Sequence, residues 1–300
     1  MHLSISNKRI EFGEIVAFVL LGLVSLVFIL PILSMYSISF SDEADIMKEG
    51  FRLIPARITS ISYEYIFRNP GQIIRSYSVS LFVVCTGTFL GLLVMSMIAY
   101  PLSRSDFRYR KYLSFYVLVV LLFNGGLVPF YINIVSNFSF LKNTIWVLII
   151  PYLCLPWNIL LLKSFFRSIP ASIIESAKID GASEFRIFFT IIIPLSKPAL
   201  ATVGTFVALY YWNDWWLSLL FIDNRNLYSI QMLLYSIMAN LQAIIDAMSS
   251  GMLANDITDK MPTESMRMAI GVLALTPMLI IFPFFQKYFV RGLNVGAVKG

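Results

Sequence analysis

The chain has 300 residues, of which 58% are hydrophobic and only 13% are charged, and its mean hydropathy is +0.77. Soluble proteins carry about 25% charged and about 45–50% apolar residues, so this composition excludes a soluble globular domain. It also excludes disordered, collagen-like, coiled-coil and disulfide-rich chains, since the two cysteines, Cys85 and Cys154, lie inside apolar runs. The composition therefore predicts an integral membrane protein, whose net charge of +6 reflects basic loops rather than nucleic-acid binding.

Six stretches nearly free of Asp, Glu, Lys and Arg are long enough to cross about 30 Å of hydrocarbon as helices. They run from Ile15 to about Phe40, between Arg75 and Arg104, between Lys111 and Lys142, between Lys142 and Lys163, from about Pro198 to Ile222, and between Arg267 and Lys287. None alternates apolar and polar residues as barrel strands do. The first exceeds the apolar length of a signal peptide and reads as a retained helix. The predicted fold class is all-α, a polytopic membrane protein with six transmembrane helices.

The basic residues predict the orientation of these helices. Fourteen of the 23 Lys and Arg residues fall on the side that holds both termini, and nine fall on the other side. Because cytoplasmic loops are enriched in Lys and Arg, both termini are expected to be cytoplasmic. Two loops, 41–75 and 223–266, are then long external loops that could hold short surface helices. Segment 163–197 is a long cytoplasmic loop.

Motifs for intrinsic catalysis are missing from the sequence. No G-x-x-x-x-G-K-[ST] phosphate loop, H-E-x-x-H or G-x-S-x-G motif occurs, and the single histidine is His2 in the terminal tail. Asp214 is the only formal charge inside a predicted span, whereas ion-coupled carriers usually hold more. We therefore expect no catalytic residue, no metal site and no cofactor, and the chain is not expected to be an enzyme.

Segment 163–197 has the local signals of two short helices joined by a sharp turn. Pro170 suits a first helical turn, and Ser172-x-x-Glu175 has capping-box spacing. Gly181 can adopt the left-handed conformation that ends such a helix, and Ser183 can cap a second helix that must stop or kink by Pro194. Two interpretations fit these signals: a pair of amphipathic helices lying on lipid headgroups, and a lever that docks into a cytoplasmic partner.

This segment resembles a known family. Glu175-Ser-Ala177-x-x-Asp180-Gly181-Ala182, followed by Ile193-Pro194-Leu-x-x-Pro198, is similar to the "EAA" signature of ABC-importer permease subunits, within the binding-protein-dependent carbohydrate class that includes the maltose permeases. Ser176 is the one departure, a small residue in place of Ala. The resemblance implies an importer-type ABC transmembrane domain whose 170–183 helix is the coupling helix, seated in a groove of a cytoplasmic ATPase. It implies this coupling role for Glu175, Ala177, Asp180, Gly181, Ala182 and Pro194.

Further motifs extend the resemblance over roughly 75–300. They are Phe123-Asn-Gly-Gly126-Leu-Val-Pro129, Trp212-Asn-Asp214, and the tail from Gln286 to Gly300 with Arg291 and Lys299, and they resemble a branch that takes up larger or acidic oligosaccharides. We therefore expect residues 1–74 to form a tail, a first transmembrane helix and an external loop, and 75–300 to form the permease core.

The resemblance also implies an assembly. The expected partners are a second homologous permease subunit, a cytoplasmic ATPase dimer, an external or periplasmic solute-binding protein, the oligosaccharide substrate and membrane lipid, with no nucleic acid. The expected location is the bacterial cytoplasmic (inner) membrane, with several passes through it. The choice between a homodimer and a heterodimer of permeases, and the identity of the sugar, stay open at this point.

An aromatic cluster in the fifth span is a candidate for the substrate pathway. Residues 210–216 read Tyr-Tyr-Trp-Asn-Asp-Trp-Trp, which fits either an interfacial aromatic belt or a surface on which sugar rings stack. On one helix, Trp212, Trp215 and Trp216 would share a face. The candidate pathway residues here are Tyr211, Trp212, Asn213 and Trp215.

Asn124, Gly125, Gly126 and Pro129 interrupt the third span. They fit a kink or a tight helix contact, or else a weakened helix in which Asn124 meets substrate. Two other classes of function remain as alternatives to the importer: an ion-coupled secondary transporter, and a membrane scaffold that docks a cytoplasmic protein.

Overall fold

A computed structural model describes residues 12–250 and 263–297. In these two ranges every regular element is helical, and one isolated bridge joins Ser41 to Ile58. The α-helices, numbered in chain order, are α1 Phe12–Ser39, α2 Glu43–Glu49, α3 Ile61–Ile66, α4 Pro70–Ser103, α5 Arg110–Leu122, α6 Leu127–Asn137, α7 Pro156–Arg167, α8 Ala171–Ile179, α9 Glu184–Ile187, α10 Ile193–Leu195, α11 Lys197–Trp212, α12 Trp216–Phe221, α13 Ile230–Ser249 and α14 Glu264–Ala297.

The all-α prediction is confirmed for the described residues, and four of these helices are long and apolar enough to cross a membrane. The four stretches are Ile15–Ser39, Pro70–Ser103, Ile230–Ala247 and Glu264–Ile281. Three further candidates are pairs of shorter helices bent at a break, which brings the number of candidate spans to between four and seven. Helices α1, α4 and α14 correspond to the first, second and sixth spans expected from the sequence.

Three expected spans are interrupted. The third is broken into α5 and α6, which meet at 111°. The fourth consists of 3-10 turns at Ile145–Leu148 and Ile150–Tyr152 followed by α7, at 49°. The fifth begins with α11, which is bent by 81° from the preceding helical stretch and ends at Trp212, so α12 is a separate helix. Glycine, proline and polar capping groups end these helices before they reach the length of a membrane span.

The expected external loop 223–266 holds a 20-residue helix, α13, rather than short surface helices alone. Residues 230–247 carry a single formal charge, Asp246, but Gln231, Ser236, Asn240 and Gln242 interrupt the apolar pattern. These polar residues concealed a helix that is long and apolar enough to be a candidate span.

Contacts divide the chain into two compact units, Met1–Arg68 with Asn240–Leu275, and Asn69–Ala239 with Thr276–Gly300. In the first unit, a carboxylate of α2 caps the start of α14. Glu43 accepts hydrogen bonds from the Thr263 hydroxyl at 2.7 Å, from the Glu264 N–H at 2.9 Å, and from the N–H and hydroxyl of Ser265 at 3.1 and 2.9 Å. Burial raises the pKa of Glu43, but these hydrogen bonds outweigh burial and lower the pKa overall.

The second unit is built on α4, which packs along α7 and α11. Its core includes Met95 and Ala99 of α4, Leu162 of α7, and Val203 and Val207 of α11, all of them fully buried. Small residues let these helices approach closely, because helices in a membrane associate through packing rather than through a hydrophobic driving force. This packed unit carries both candidate functional regions.

Candidate functional site

Helix α8 begins two residues earlier than a capping box at Ser172 would allow. Its N-cap is Pro170, with φ −56° and ψ 130°, and no side chain caps the helix. The Ser172–Glu175 capping box is therefore not formed, because the fixed φ of proline supplies the turn into the helix without a side-chain acceptor. Glu175 is left free of this role and exposed to solvent.

The end of α8 has the geometry expected from its sequence. Gly181 has φ +76°, its N–H donates to the Lys178 carbonyl at 3.0 Å, and the Ala182 N–H donates to the Ala177 carbonyl at 3.0 Å. These two bonds form a Schellman motif, and the left-handed conformation is one that glycine adopts without cost. The predicted turn at Gly181 is confirmed.

The second short helix is also capped as expected, and the helical stretch ends one residue after Pro194. The Ser183 hydroxyl accepts from the Arg186 N–H at 3.3 Å. A π-helical turn at Phe188–Ile192 precedes Pro194, whose ring prevents ordinary α-helical hydrogen bonding at that point. The stretch ends at Leu195, before the bend into α11.

One face of α8 packs on the core of the second unit and the other is open. Ile174 and Ala177 are buried, whereas Ile173, Glu175 and Ile179 are exposed, with Ile179 87% exposed. The small side chain of Ala177 thus allows α8 to lie close to its own core. The exposed surface of this segment includes Ile173, Glu175, Ile179, Asp180 and Gly181.

Lys178 of α8 lies between two carboxylates. Its Nζ is 2.6 Å from Glu184 and 3.0 Å from Asp106, which belongs to the loop between α4 and α5. Hydrogen bonds to Glu184 and Asp106 raise the pKa of Lys178. The Arg104 guanidinium, 2.6 Å from Asp106, together with Lys178 holds the pKa of Asp106 well below its usual range. The ammonium group of Lys178 and the carboxylates of Asp106 and Glu184 are therefore ionised at neutral pH. No motif in the sequence indicates Asp106, which lies 72 residues from its partner Lys178.

The aromatic cluster of the fifth span is divided between the core and the surface. Tyr211 and Trp212 are buried, with 3% and 1% of their surfaces exposed. The Tyr211 hydroxyl donates to the Ile149 carbonyl at 2.8 Å, and its ring lies directly against Gly87 of α4. Both side chains are thus part of the packing between helices in this conformation.

The break after Trp212 changes the expected arrangement of the tryptophans. The expectation that Trp212, Trp215 and Trp216 share one helical face is wrong, because α11 ends at Trp212 and α12 begins at Trp216. Asp214 stabilises this break: it accepts from the Tyr152 hydroxyl at 2.8 Å and from the Leu217 N–H at 3.3 Å.

A cavity of about 520 Å³ opens at this break. Its lining combines aromatic and polar groups: Tyr152, Phe206, Leu209, Tyr210, Asn213, Asp214 and Trp216. Trp215 lies outside the lining and stacks on Tyr235 of α13, with ring centroids 4.5 Å apart. Aromatic faces beside amide and carboxylate groups can stack on sugar rings and exchange hydrogen bonds with hydroxyls. Tyr152 was not identified from the sequence, since it lies 62 residues from Asp214 and carries no motif.

Asn124 sits at the break in the third span. Its side-chain oxygen accepts from the Gly126 N–H at 2.9 Å, and Gly126 has φ +85°. A methyl group added at Gly125 or Gly126 would meet nothing within 4 Å, so these glycines make no tight helix contact with the residues that the structure describes. They end α5 and permit the turn into α6. In the tail, Arg291 lies within α14, whereas Lys299 lies outside the described residues.

Residues 4–295 match the family described as "Binding-protein-dependent transport system inner membrane component". The chain therefore belongs to this family of ABC-importer permeases, a transport component rather than a catalytic enzyme. It is 36% identical to the polygalacturonan/rhamnogalacturonan transport system permease protein YtcP of Bacillus subtilis (strain 168), over 92% of this chain and 94% of that protein. It is 34% identical to protein LplC of the same organism, over 100% of this chain and 99% of LplC.

The fold agrees with this membership. The chain superposes with a TM-score of 0.77 and 28% identity on a chain from the crystal structure of a bacterial ABC transporter involved in the import of the acidic polysaccharide alginate. The match covers 96% of this chain and 99% of the other. The expected importer-type permease fold and the expected family are confirmed.

Proposed function

We propose that this chain is one permease subunit of an ATP-driven importer of oligosaccharides in the bacterial cytoplasmic membrane. In this proposal it crosses the membrane six times with both termini in the cytoplasm. It pairs with a second homologous permease, and the substrate path lies between the two. An ATPase dimer binds on the cytoplasmic side, and a solute-binding protein delivers substrate outside. The 75–300 segment forms the permease core, after an N-terminal segment of 1–74.

The observation that carries the proposal is the exposed end of α8. Glu175, Asp180 and Gly181 lie on the open face of a short helix whose other face is anchored in the core. A helix held on one side and free on the other suits a lever that docks into a partner. We assign Ala177 to seating α8 on the core, and Ala182 and Pro194 to shaping the segment around it.

Copurification tests this proposal. The tagged chain is isolated from its native membrane as wild type, Gly181→Trp and Gly50→Trp. Gly50 is the matched control, because it also has a positive φ, +74°, and a Cβ added there would also meet nothing within 4 Å. We expect an ATPase and a second permease with the wild type and with Gly50→Trp, and loss of the ATPase alone from Gly181→Trp. Absence of any ATPase from the wild type would contradict the importer and reopen the scaffold interpretation.

We further propose that the cavity at the break after α11 is part of the substrate path. Asn213 and Asp214 then exchange hydrogen bonds with sugar hydroxyls, and Tyr210 and Trp216 offer stacking surfaces. Tyr211 and Trp212 support the wall from behind, and Trp215 flanks the site through its stack on Tyr235. Asn124, at the break between α5 and α6, is a second candidate contact on the path.

The substrate class follows from the relatives. YtcP is named as a polygalacturonan/rhamnogalacturonan transport permease, and the superposed transporter is involved in the import of alginate. Uptake of short oligomers of each, in cells that express the wild type, Trp216→Ala or Trp157→Ala, tests the proposal. Trp157 is the control, since it is exposed on α7 outside the cavity. We expect Trp216→Ala alone to reduce uptake, whereas uptake that depends on an ion gradient rather than on ATP would favour a secondary transporter.

A further inference from the structure

A chain of polar side chains joins α8 to the end of α4. Lys178 contacts Glu184 at 2.6 Å and Asp106 at 3.0 Å, and Glu184 accepts a hydrogen bond from the Tyr100 hydroxyl at 2.7 Å. Arg104, immediately after α4, holds Asp106 through two hydrogen bonds of 2.9 and 2.6 Å. Five side chains from α4, the following loop, α8 and α9 thus form one continuous network.

The network reaches the core through Tyr100. This residue is 7% exposed, and its ring packs against Phe188 with centroids 5.5 Å apart. Beside it lies a cavity of about 370 Å³ between the end of α4 and the α9 region. The polar groups connect α8 to α4 beside this open space, in addition to the packing of Ile174 and Ala177 on the core.

Helix α4 continues from this network to the substrate cavity. Gly87, about four turns away from Tyr100, lies against the ring of Tyr211. The Tyr211 ring packs edge-to-face on Tyr152, with centroids 5.7 Å apart, and Tyr152 donates to Asp214 in the cavity lining. Every step of this route is a direct contact within the second unit.

We propose that Lys178 is a positioning residue that fixes the coupling helix to α4 through Asp106 and Glu184, so that displacement of α8 moves α4 and changes the substrate cavity. The inference rests on the proposed function, which supplies the ATPase that displaces α8. Lys178 itself is not proposed to contact the ATPase. Its two ion pairs instead make the lever and α4 move together.

The test measures how the cavity responds to nucleotide. In the assembled importer, Cys85 and Cys154 are both replaced by serine, and Asn213→Cys supplies a single reporter thiol in the cavity lining. The rate of maleimide labelling is compared between the nucleotide-free complex and the complex trapped with ATP and vanadate. The amount of copurified ATPase is measured on the same samples, so that docking and transmission are read separately.

Five versions of this reporter protein are compared. They are the reporter background, Lys178→Gln, Lys178→Arg, Asp106→Asn, and the matched control Lys142→Gln, which removes an exposed 3.3 Å ion pair with Asp223 elsewhere in the unit. Energetic coupling between two sites typically corresponds to a factor of about 5–150. Because the two ion pairs are partly exposed, we expect the lower end of this range. The change in labelling rate caused by nucleotide should be about fivefold smaller in Lys178→Gln and Asp106→Asn. Lys178→Arg and Lys142→Gln should respond as the background does, and all five should retain the ATPase.

Several results would overturn the inference. An unchanged nucleotide response in Lys178→Gln or Asp106→Asn would show that the ion pairs do not transmit motion. Loss of ATPase from Lys178→Gln would make Lys178 a docking contact instead. A background that holds its ATPase but shows no nucleotide response would refute the link to the cavity and leave the importer intact. Absence of the ATPase from the background would refute the proposed function itself.

Discussion

Helix α4 approaches the ring of Tyr211 at Gly87, and Gly87→Ala tests how tightly the core of the second unit is packed. A Cβ added at Gly87 would lie 2.5 Å from Cζ of Tyr211, and 2.7 and 2.8 Å from its two Cε atoms. Carbon atoms in contact normally lie about 3.5–4.0 Å apart, so the ring or the helix must move by about 1 Å.

Tyr211 has little freedom to make this movement. Its side chain is buried, and its hydroxyl donates to the Ile149 carbonyl at 2.8 Å. Overpacking a core typically costs about 1–3 kcal/mol, and loss of the hydroxyl hydrogen bond adds about 1 kcal/mol. We therefore expect Gly87→Ala to lower the free energy of unfolding by about 2–4 kcal/mol.

The same helix offers a matched control at Gly91. A Cβ there would lie 3.5 Å from the Met95 Cε, which is an ordinary contact, and alanine is favoured over glycine inside a helix, so Gly91→Ala should not lower the free energy of unfolding. The measurement is the thermal or denaturant midpoint of the purified permease in detergent. The double variant Gly87→Ala/Tyr211→Leu should lose less free energy of unfolding than the two single variants lose together, because the shortened side chain removes the clash. Equal midpoints for Gly87→Ala and Gly91→Ala would refute the reasoning.

Three further predictions concern single polar contacts. Glu43→Gln should lower the free energy of unfolding by about 1 kcal/mol at pH 7. The folded-state pKa of Glu43 lies below its ordinary 4.5, so this difference is fully present above pH 4.5. In acid denaturation the difference should disappear as the pH falls through the folded-state pKa. Ser80→Ala leaves the buried N–H of Ile230, which now donates to the Ser80 hydroxyl at 2.8 Å, without an acceptor, and should cost about 1–3 kcal/mol in a denaturant titration. Tyr152→Phe removes the hydrogen bond to Asp214 and should cost about 1 kcal/mol, whereas in Asp214→Asn the same change should cost less, which a double-mutant cycle measures.

Local signals in the sequence predicted local features well. Gly181 ends α8 through its positive φ, and Ser183 caps α9 through one hydrogen bond to a residue three positions away. Both features were expected from the sequence. The uninterrupted apolar stretches likewise became the long helices α1, α4 and α14. The Ser172 capping box failed because Pro170 competes at the same helix start, and nothing in the spacing alone ranks the two.

The length of a stretch without charged residues did not by itself predict a continuous helix. The third, fourth and fifth expected spans have enough apolar residues, yet each is broken where glycine, proline or a capping side chain ends the hydrogen-bond ladder. Helix α13 shows the converse, since its polar residues hid a long helix inside an expected loop. Composition measures the affinity of a segment for lipid, whereas the position of a helix end depends on individual backbone groups.

The sequence by itself determined that this chain is a membrane protein with two short helices joined by a turn at Gly181, because composition and the residues around the Asp-Gly turn act locally. Its motifs also indicated the permease family. Only the tertiary structure decided which side chains pack against these two helices and which line the cavity. It turned Ala177 inward, brought Asp106 to Lys178 across 72 residues, and brought Tyr152 to Asp214 across 62. Such partners carry no shared motif, since their proximity arises from the packing of α4, α7 and α11 and not from any spacing along the chain.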